Sequence, residues 1–263
     1  MPTPDEFTRA YQRRVERLRS RAGSALQALW LGMPEYRDAQ VDRFVQLALP
    51  IQEAAQREMR SLTAGYQVAV NRERGDRVPM ALISDAAVTA PRGVAPAEVY
   101  RRPAVQVYTE LSRGATLTAA VTAGARRLQS LSATDLQLVK VGQSQQSLRA
   151  GGFTFFRRVL TGLENCALCS IASTQRYRVE NLMPIHPGCD CSVDRVDANF
   201  DPGQVIDPST LEGTHGQVAE FAGIADRGGR APDYRELIVT SENGELGPVL
   251  RWRNQNFTGP ADL

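Results

Sequence analysis

The chain has 263 residues, of which 42% are hydrophobic and 6% aromatic, and its formal net charge is +2. These values are typical of a polar globular protein with one large domain or two smaller ones, and no apolar run approaches the ~20 residues of a membrane helix. The first residues lack the apolar core and small-residue cleavage site of a secretory signal. We therefore expect a protein that is made in the cytoplasm and stays soluble.

The low net charge hides an asymmetry along the chain. Residues 1–163 contain 23 basic and 14 acidic residues, whereas residues 164–263 contain 8 basic and 15 acidic ones. A basic first part is compatible with contact to nucleic acid or to an acidic partner surface. The simpler interpretation is a set of helices whose arginines face solvent. Four arginines of one predicted helix are the candidates for DNA or partner contact: Arg13, Arg14, Arg17 and Arg21.

Residues 1–74 predict a helical N-terminal region. Thr3 is the predicted N-cap of the first helix, with Pro4 at the first helical position. The segment 32–36 breaks this helix. A second helix follows, because apolar residues keep the helical period from about 41 to 62. Pro50 lies inside that pattern and is predicted to kink or split the helix.

Residues 75–96 are rich in Pro, Gly and small residues, which predicts a linker or a long connection. A helical stripe resumes over residues 100–111 and is stopped by Gly114. Thr116 is the predicted N-cap of the next helix.

In that next helix, Gly124 and Ala125 are small enough to let a neighbouring helix approach closely. Thr134 and Gln137 match a capping box, which predicts that a separate helix opens there and runs to about residue 148.

Residues 151–166 are richer in aromatic and β-branched residues and are flanked by glycines, which predicts a strand or a short helix that leads into a cysteine-rich window. Near the C-terminus, Glu236–Thr240 and Pro248–Trp252 flank an Asn-Gly turn and predict a hairpin. The fold class predicted is mainly α, with a helical N-terminal half, a small α+β zinc-knot region, and short strands near the cysteine window and the C-terminus. The predicted organisation is a helical region, a linker, a central domain with the knot and an extended C-terminal segment, over 1–74, 75–96, 97–200 and 201–263.

All four cysteines and one of the two histidines lie between residues 165 and 192. Their spacing is C-x2-C-x16-H-x2-C-x-C, which supplies five candidate ligands for a tetrahedral ion that needs four. Thiolates dominate the set, and soft ligands of this kind favour zinc. The sequence therefore predicts one structural Zn²⁺, without deciding between the last two cysteines. The candidate ligands are Cys166, Cys169, His186, Cys189 and Cys191.

Three alternatives to a structural zinc agree less well with the sequence. Disulfides would leave His186 unexplained, and the chain shows no export signal. A redox C-x-x-C motif normally lies in a βαβ unit, which the pattern does not predict. A hydrolytic zinc needs an open coordination position and a nearby general base, whereas here the ligands are in surplus and no Glu stands beside His186.

The segments "CALC" and "IHPGCDC" resemble the C-x-x-C…H-P-x-C-x-C signature of the Mu F-like head morphogenesis family, the minor head proteins of tailed bacteriophages. The stretches "YRRPAVQVYTEL", "FRRVLTGLENCALC" and "ENGELGPVLRW" are similar to the branch found in phages of actinobacteria. The resemblance covers about residues 95 to 260. It places the metal-like positions of the family on the five candidate ligands.

The resemblance implies a structural minor head protein of the virion, made in the host cytoplasm and acting in head assembly, portal association and DNA packaging or delivery. The implied partners are portal and capsid proteins, with packaged DNA as a further candidate; no membrane and no small-molecule substrate are expected. Relatives are often labelled capsid maturation proteases. That alternative would need a free histidine, and only His215 is left, in a Gly-flanked acidic loop typical of a surface residue. We therefore do not expect an enzyme.

Overall fold

The structure is a computed structural model that describes residues 4–160, 167–186, 188–189, 191–198, 238–253 and 255. The helices are α1 (Pro4–Leu31), α2 (Asp38–Glu73), α3 (Asp85–Thr89), α4 (Pro96–Ser112), α5 (Leu117–Ala150) and α6 (Ala167–Ser173). The strands are β1 (Phe155–Val159), β2 (Tyr177–Arg178), β3 (Ser192–Val196), β4 (Ile238–Asn243) and β5 (Gly247–Trp252). The fold is mainly α with a small α+β region, as the sequence predicts. In the part of the chain described, no helix is both long and apolar enough to cross a membrane.

Two hydrophobic cores hold the four long helices together. In the first, the predicted stripe of α1, which includes Tyr11 and Leu18, packs against Met59 of α2 and Leu136 of α5. The second core contains residues of α1, α2, α4 and α5, among them Trp30, Phe44, Tyr100 and Leu128. Apolar faces at helical spacing are buried on both sides of residues 75–96. The helices on the two sides of this segment, within residues 4–73 and 96–150, therefore pack as one helical body.

The close approach predicted at Gly124 is confirmed. A Cβ atom added at this residue would lie 2.6 Å from Cζ2 of Trp30 and 2.9 Å from both the carbonyl oxygen of Pro103 and a methyl group of Val107. The Trp30 indole also donates a hydrogen bond to the carbonyl of Val121, at 3.1 Å. Since Pro103 and Val107 belong to α4, the absence of a side chain at Gly124 lets α1, α4 and α5 meet.

Two sequence predictions about the helices are corrected. Helix α2 is continuous through Pro50, so of the two predicted outcomes the split is wrong. Contacts hold the helix on both sides of the proline: Ala48 is fully buried, and the side chain of Gln52 accepts a hydrogen bond from Ser132 of α5 at 2.7 Å. Helix α5 runs unbroken from Leu117, so Thr134 and Gln137 lie in its interior and open no new helix.

The predicted cap at Thr116 is confirmed, since its hydroxyl accepts a hydrogen bond from the backbone N–H of Ala119. The predicted cap at Thr3 lies outside the described residues.

Residues 75–96 form an anchored connection. Their centre is helix α3, whose N-cap Ser84 accepts a hydrogen bond from the N–H of Ala87. Val88 is fully buried. Arg92 inserts between the helices, donating to Asp135 at 2.5 Å and to the carbonyl of Leu131 at 3.1 Å. Burial and ion pairing thus fix the path of this segment against α5.

The strands form two small antiparallel sheets. Strand β1 is central in the first sheet, between β2 and β3. Of the two structures predicted for this segment, a strand or a short helix, the strand is therefore correct. The predicted C-terminal hairpin is confirmed as β4–β5, with Asn243 opposite Gly247. The Asn243 side chain accepts hydrogen bonds from the N–H groups of Glu245 and Leu246. Gly247 has a φ of +72°, a backbone conformation that favours glycine.

The tip of the hairpin is joined to the helices by a cluster of ion pairs. The Glu245 carboxylate contacts three guanidinium groups, those of Arg92, Arg102 and Arg127. The Arg92 side chain is only 6% exposed and bridges Glu245 and Asp135. The hairpin is thereby fixed to α4, α5 and the connection between α2 and α4.

Candidate metal centre

Three cysteines and a histidine come together in the small α+β region. Cys169 lies on α6, His186 and Cys189 lie in the loop that precedes β3, and Cys191 directly precedes that strand. The three sulfur atoms lie within 4.8 Å of one another. The Cys169 sulfur is 3.7 Å from that of Cys189 and 3.2 Å from Nε2 of His186. The structure thus joins side chains from two segments of the chain.

The loop between His186 and Cys189 is a tight turn that α5 holds in place. The N–H of Cys189 donates to the carbonyl of His186 at 3.2 Å, and Gly188 has a φ of +81°, which favours glycine. The buried side chain of Gln137 donates to the carbonyl of His186 at 2.8 Å and accepts from the N–H of Gly188 at 3.2 Å. Gln137, which sequence reasoning assigned to a helix cap, therefore positions the loop of the cluster.

Apolar residues surround the sulfur atoms. Cys169 and Cys189 are buried, and Cys191 is partly so. The hydrophobic core that contains them also includes Leu168, Ile185 and Trp252. The backbone of β5 reaches the loop directly, because the N–H of Leu250 donates to the carbonyl of Pro184 at 3.4 Å. The C-terminal hairpin therefore covers the cluster, an arrangement that the sequence pattern did not indicate.

The electrostatic surroundings favour a thiolate in this cluster. The pKa of Cys189 lies well below its ordinary value, first because the thiols of Cys169 and Cys191 form hydrogen bonds to its sulfur. Burial opposes this shift, while His186 and Arg158 add to it by their charge. A thiolate is the form of cysteine that binds metals.

The arrangement can hold a metal ion. Three sulfur atoms at these distances offer soft ligands of the kind that bind zinc and other thiophilic metals, and the imidazole of His186 contacts one of them, the sulfur of Cys169. The separation of 3.7 Å between the sulfurs of Cys169 and Cys189 is far longer than the ~2.05 Å of a disulfide bond. These two cysteines are therefore placed as ligands would be and are not bonded to each other.

The other predicted site residues fall into two groups. Cys166 and His215 lie outside the described residues. The four arginines proposed for DNA or partner contact are all exposed on α1, and one of them, Arg21, forms an ion pair with Glu58 of α2. They belong to the helical body and not to the cysteine cluster.

Comparisons with protein-family models, curated proteins and solved structures find no match for this chain. The resemblance to Mu F-like head morphogenesis proteins therefore depends on the sequence motifs alone.

Proposed function

We propose that the cysteine cluster binds one structural Zn²⁺ through Cys169, His186, Cys189 and Cys191. The observation that carries this proposal is the convergence of three cysteine sulfurs within 4.8 Å of one another. A tetrahedral zinc with Zn–S bonds of about 2.3 Å has neighbouring sulfurs about 3.8 Å apart, and the distance between the sulfurs of Cys169 and Cys189 is 3.7 Å. Three cysteines and one histidine complete a Cys₃His set, a common structural zinc site.

The proposed role of the metal is to hold the small α+β region together. The cluster joins α6 to the turn before β3 and lies beneath the C-terminal hairpin. Metal affinity at such a site adds to folding stability because the unfolded chain has no preformed set of ligands. The burial of the ligands and the closed set of four donors favour a structural role over a hydrolytic one, which needs an open position.

The chain's proposed biological role is that of a structural minor head protein of a tailed bacteriophage, docking on portal or capsid proteins. The support for this role is the match of its cysteine–histidine spacing to the family signature, together with a buried cluster that is suited to structure rather than turnover. The test is complementation of a phage that lacks this protein with a chain in which all five candidate ligands are changed to Ala. Loss of packaged, infectious particles is expected, and normal packaging and infection would contradict the proposal.

A second candidate function, DNA binding, is favoured by the exposure of the α1 arginines. Arg13 and Arg17 are one helical turn apart and exposed, so both can reach the same phosphate backbone. Filter binding across a salt series tests this. Changing both residues to Gln is expected to reduce the slope of log K against log salt concentration by the contribution of about two phosphate contacts. The same change at the exposed Arg113 and Arg126 is expected to leave this slope unaltered. Absence of binding by the unaltered chain at low ionic strength would contradict this function.

A further inference from the structure

Arg158 is a buried cation without a carboxylate partner in the described part of the chain. It lies on β1, is 3% exposed, and donates through Nη2 to the carbonyl of Met183 at 2.5 Å. Its guanidinium group is 5.7 Å from the ring centroid of Tyr177 and 5.8 Å from that of Phe156. Its Nε–H is buried and has no hydrogen-bond acceptor among the residues that the structure describes. Because an unpaired buried charge is expensive, the guanidinium needs a counter-charge nearby.

Thiolate ligands of the cysteine cluster would supply that charge. In the first sheet Arg158 is paired with Val193 and Val159 with Ser192, the residue after Cys191. Arg158 contacts Met183 and Tyr177, and both of these residues pack against the hydrophobic core that contains Cys169 and Cys189. The guanidinium therefore lies beside the core that holds the proposed ligands.

Tyr177 adds a second polar group beside the same cysteines. Its ring packs against the hydrophobic core that contains Cys169 and Cys189, with Cys191 on the same periphery. Its hydroxyl is buried and has no partner within the described residues. A phenol O–H is a hydrogen-bond donor, and a thiolate sulfur can accept from it.

We propose that Arg158 and Tyr177 form the outer shell of the metal centre, with the guanidinium neutralising the metal–thiolate cluster and the phenol donating to a ligand sulfur; this inference rests on the metal site proposed above. Three thiolates and a neutral imidazole on a divalent cation carry one net negative charge, which a single guanidinium balances. A neutral assembly is the form that a buried, largely apolar site accommodates best. Outer-shell partners of this kind orient ligands and strengthen metal binding. Both residues are positioning residues, since neither would touch the ion.

The test compares metal affinity in full-length variants by competition with a chromophoric chelator, with Co²⁺ absorption as a report on the thiolate ligands. Arg158→Met removes the charge but keeps the stem and is expected to weaken Zn²⁺ binding by about 10–100-fold. Arg158→Lys keeps the charge, and its Zn²⁺ affinity is expected to stay within about threefold of that of the unaltered chain. Tyr177→Phe is expected to bind Zn²⁺ about tenfold more weakly. Arg157→Met is the control, because Arg157 directly precedes Arg158 in the same strand and its side chain lies on the other face.

The outcomes separate this inference from the proposed function. If the unaltered chain binds neither Zn²⁺ nor Co²⁺, both are wrong. If it binds and Arg158→Met has the same affinity, or loses no more than Arg157→Met, only the outer-shell role is wrong. Should Arg158→Met fail to fold, Tyr177→Phe decides the question: unaltered affinity and an unaltered Co²⁺ spectrum overturn the inference, and the expected loss supports it.

Discussion

Replacing Gly124 by Ala tests the packing of the helical body. The added methyl group would lie 2.6 Å from a ring carbon of Trp30 and 2.9 Å from the carbonyl oxygen of Pro103. Trp30 is fully buried, and the carbonyl belongs to the backbone of α4, so neither can move cheaply. Overpacking of this kind costs about 1–3 kcal/mol. The higher helix propensity of Ala returns about 1 kcal/mol, and the net change expected is a destabilisation of up to about 2 kcal/mol.

Gly142→Ala is the matched control for this prediction. Gly142 lies in the interior of the same helix, and a Cβ atom there would meet only a terminal carbon of Ile83, at 3.8 Å, which is ordinary contact. This variant keeps the propensity gain without the clash and is expected to be stabilised by about 0.5–1 kcal/mol. The two variants should therefore differ by about 1–3 kcal/mol, or roughly 2–12 °C in Tm for a chain of this size.

Thermal and urea unfolding followed by circular dichroism measure both variants under identical conditions. The described packing requires Gly124→Ala to unfold at a lower temperature than Gly142→Ala. If Gly124→Ala is as stable as its control, α1, α4 and α5 do not meet at this residue.

Two further predictions concern buried charges. Glu245→Ala removes the carboxylate shared by three arginines, including the buried Arg92, and should lower the free energy of unfolding in urea by about 2–4 kcal/mol. The control Glu58→Ala breaks an exposed ion pair with Arg21 and should lower it by less than about 1 kcal/mol. Equal losses in the two variants would contradict the anchoring role of the hairpin tip. Burial raises the pKa of Asp135 above its ordinary value despite the nearby Arg92, so the folded state holds this proton more tightly than the unfolded chain does. The stabilisation that this proton gives the folded state is complete below about pH 4, the pKa of an Asp carboxyl in the unfolded chain. It is lost as the pH rises through the higher pKa of Asp135 in the folded state. Unfolding of Asp135→Asn between pH 4 and 7 should therefore show a flatter stability curve in that window, and an unchanged slope would contradict the raised pKa.

The helices could be predicted from the sequence because their apolar stripes are local patterns. The stripes around Tyr11 and Tyr100, the cap at Thr116 and the small residue at Gly124 are each visible within a few residues of sequence. The continuity of α2 through Pro50 could not be predicted, since it depends on contacts with α5 that are distant in the chain. The capping-box prediction for Gln137 failed for the same reason, because a motif of two residues also occurs in helix interiors and the partner of Gln137 is a loop 49 residues away.

The meeting of three of the cysteines was predictable from the sequence, but the surroundings of the cluster were not. The spacing of the cysteines and His186 indicates which side chains can meet, because metal ligands recur at characteristic separations. The ion pairs of Glu245, the covering hairpin and the buried Arg158 depend on tertiary contacts with no local signature. The sequence gives no sign that Arg158 is buried while Arg157, the residue before it, is not.

The metal content of the purified full-length chain tests the central claim most directly. Elemental analysis of protein prepared without chelators is expected to find about one zinc per chain, and Cys169→Ser combined with Cys189→Ser is expected to abolish it. Protein that is folded, carries reduced cysteines and contains no stoichiometric metal, even after incubation with Zn²⁺, would contradict the claim.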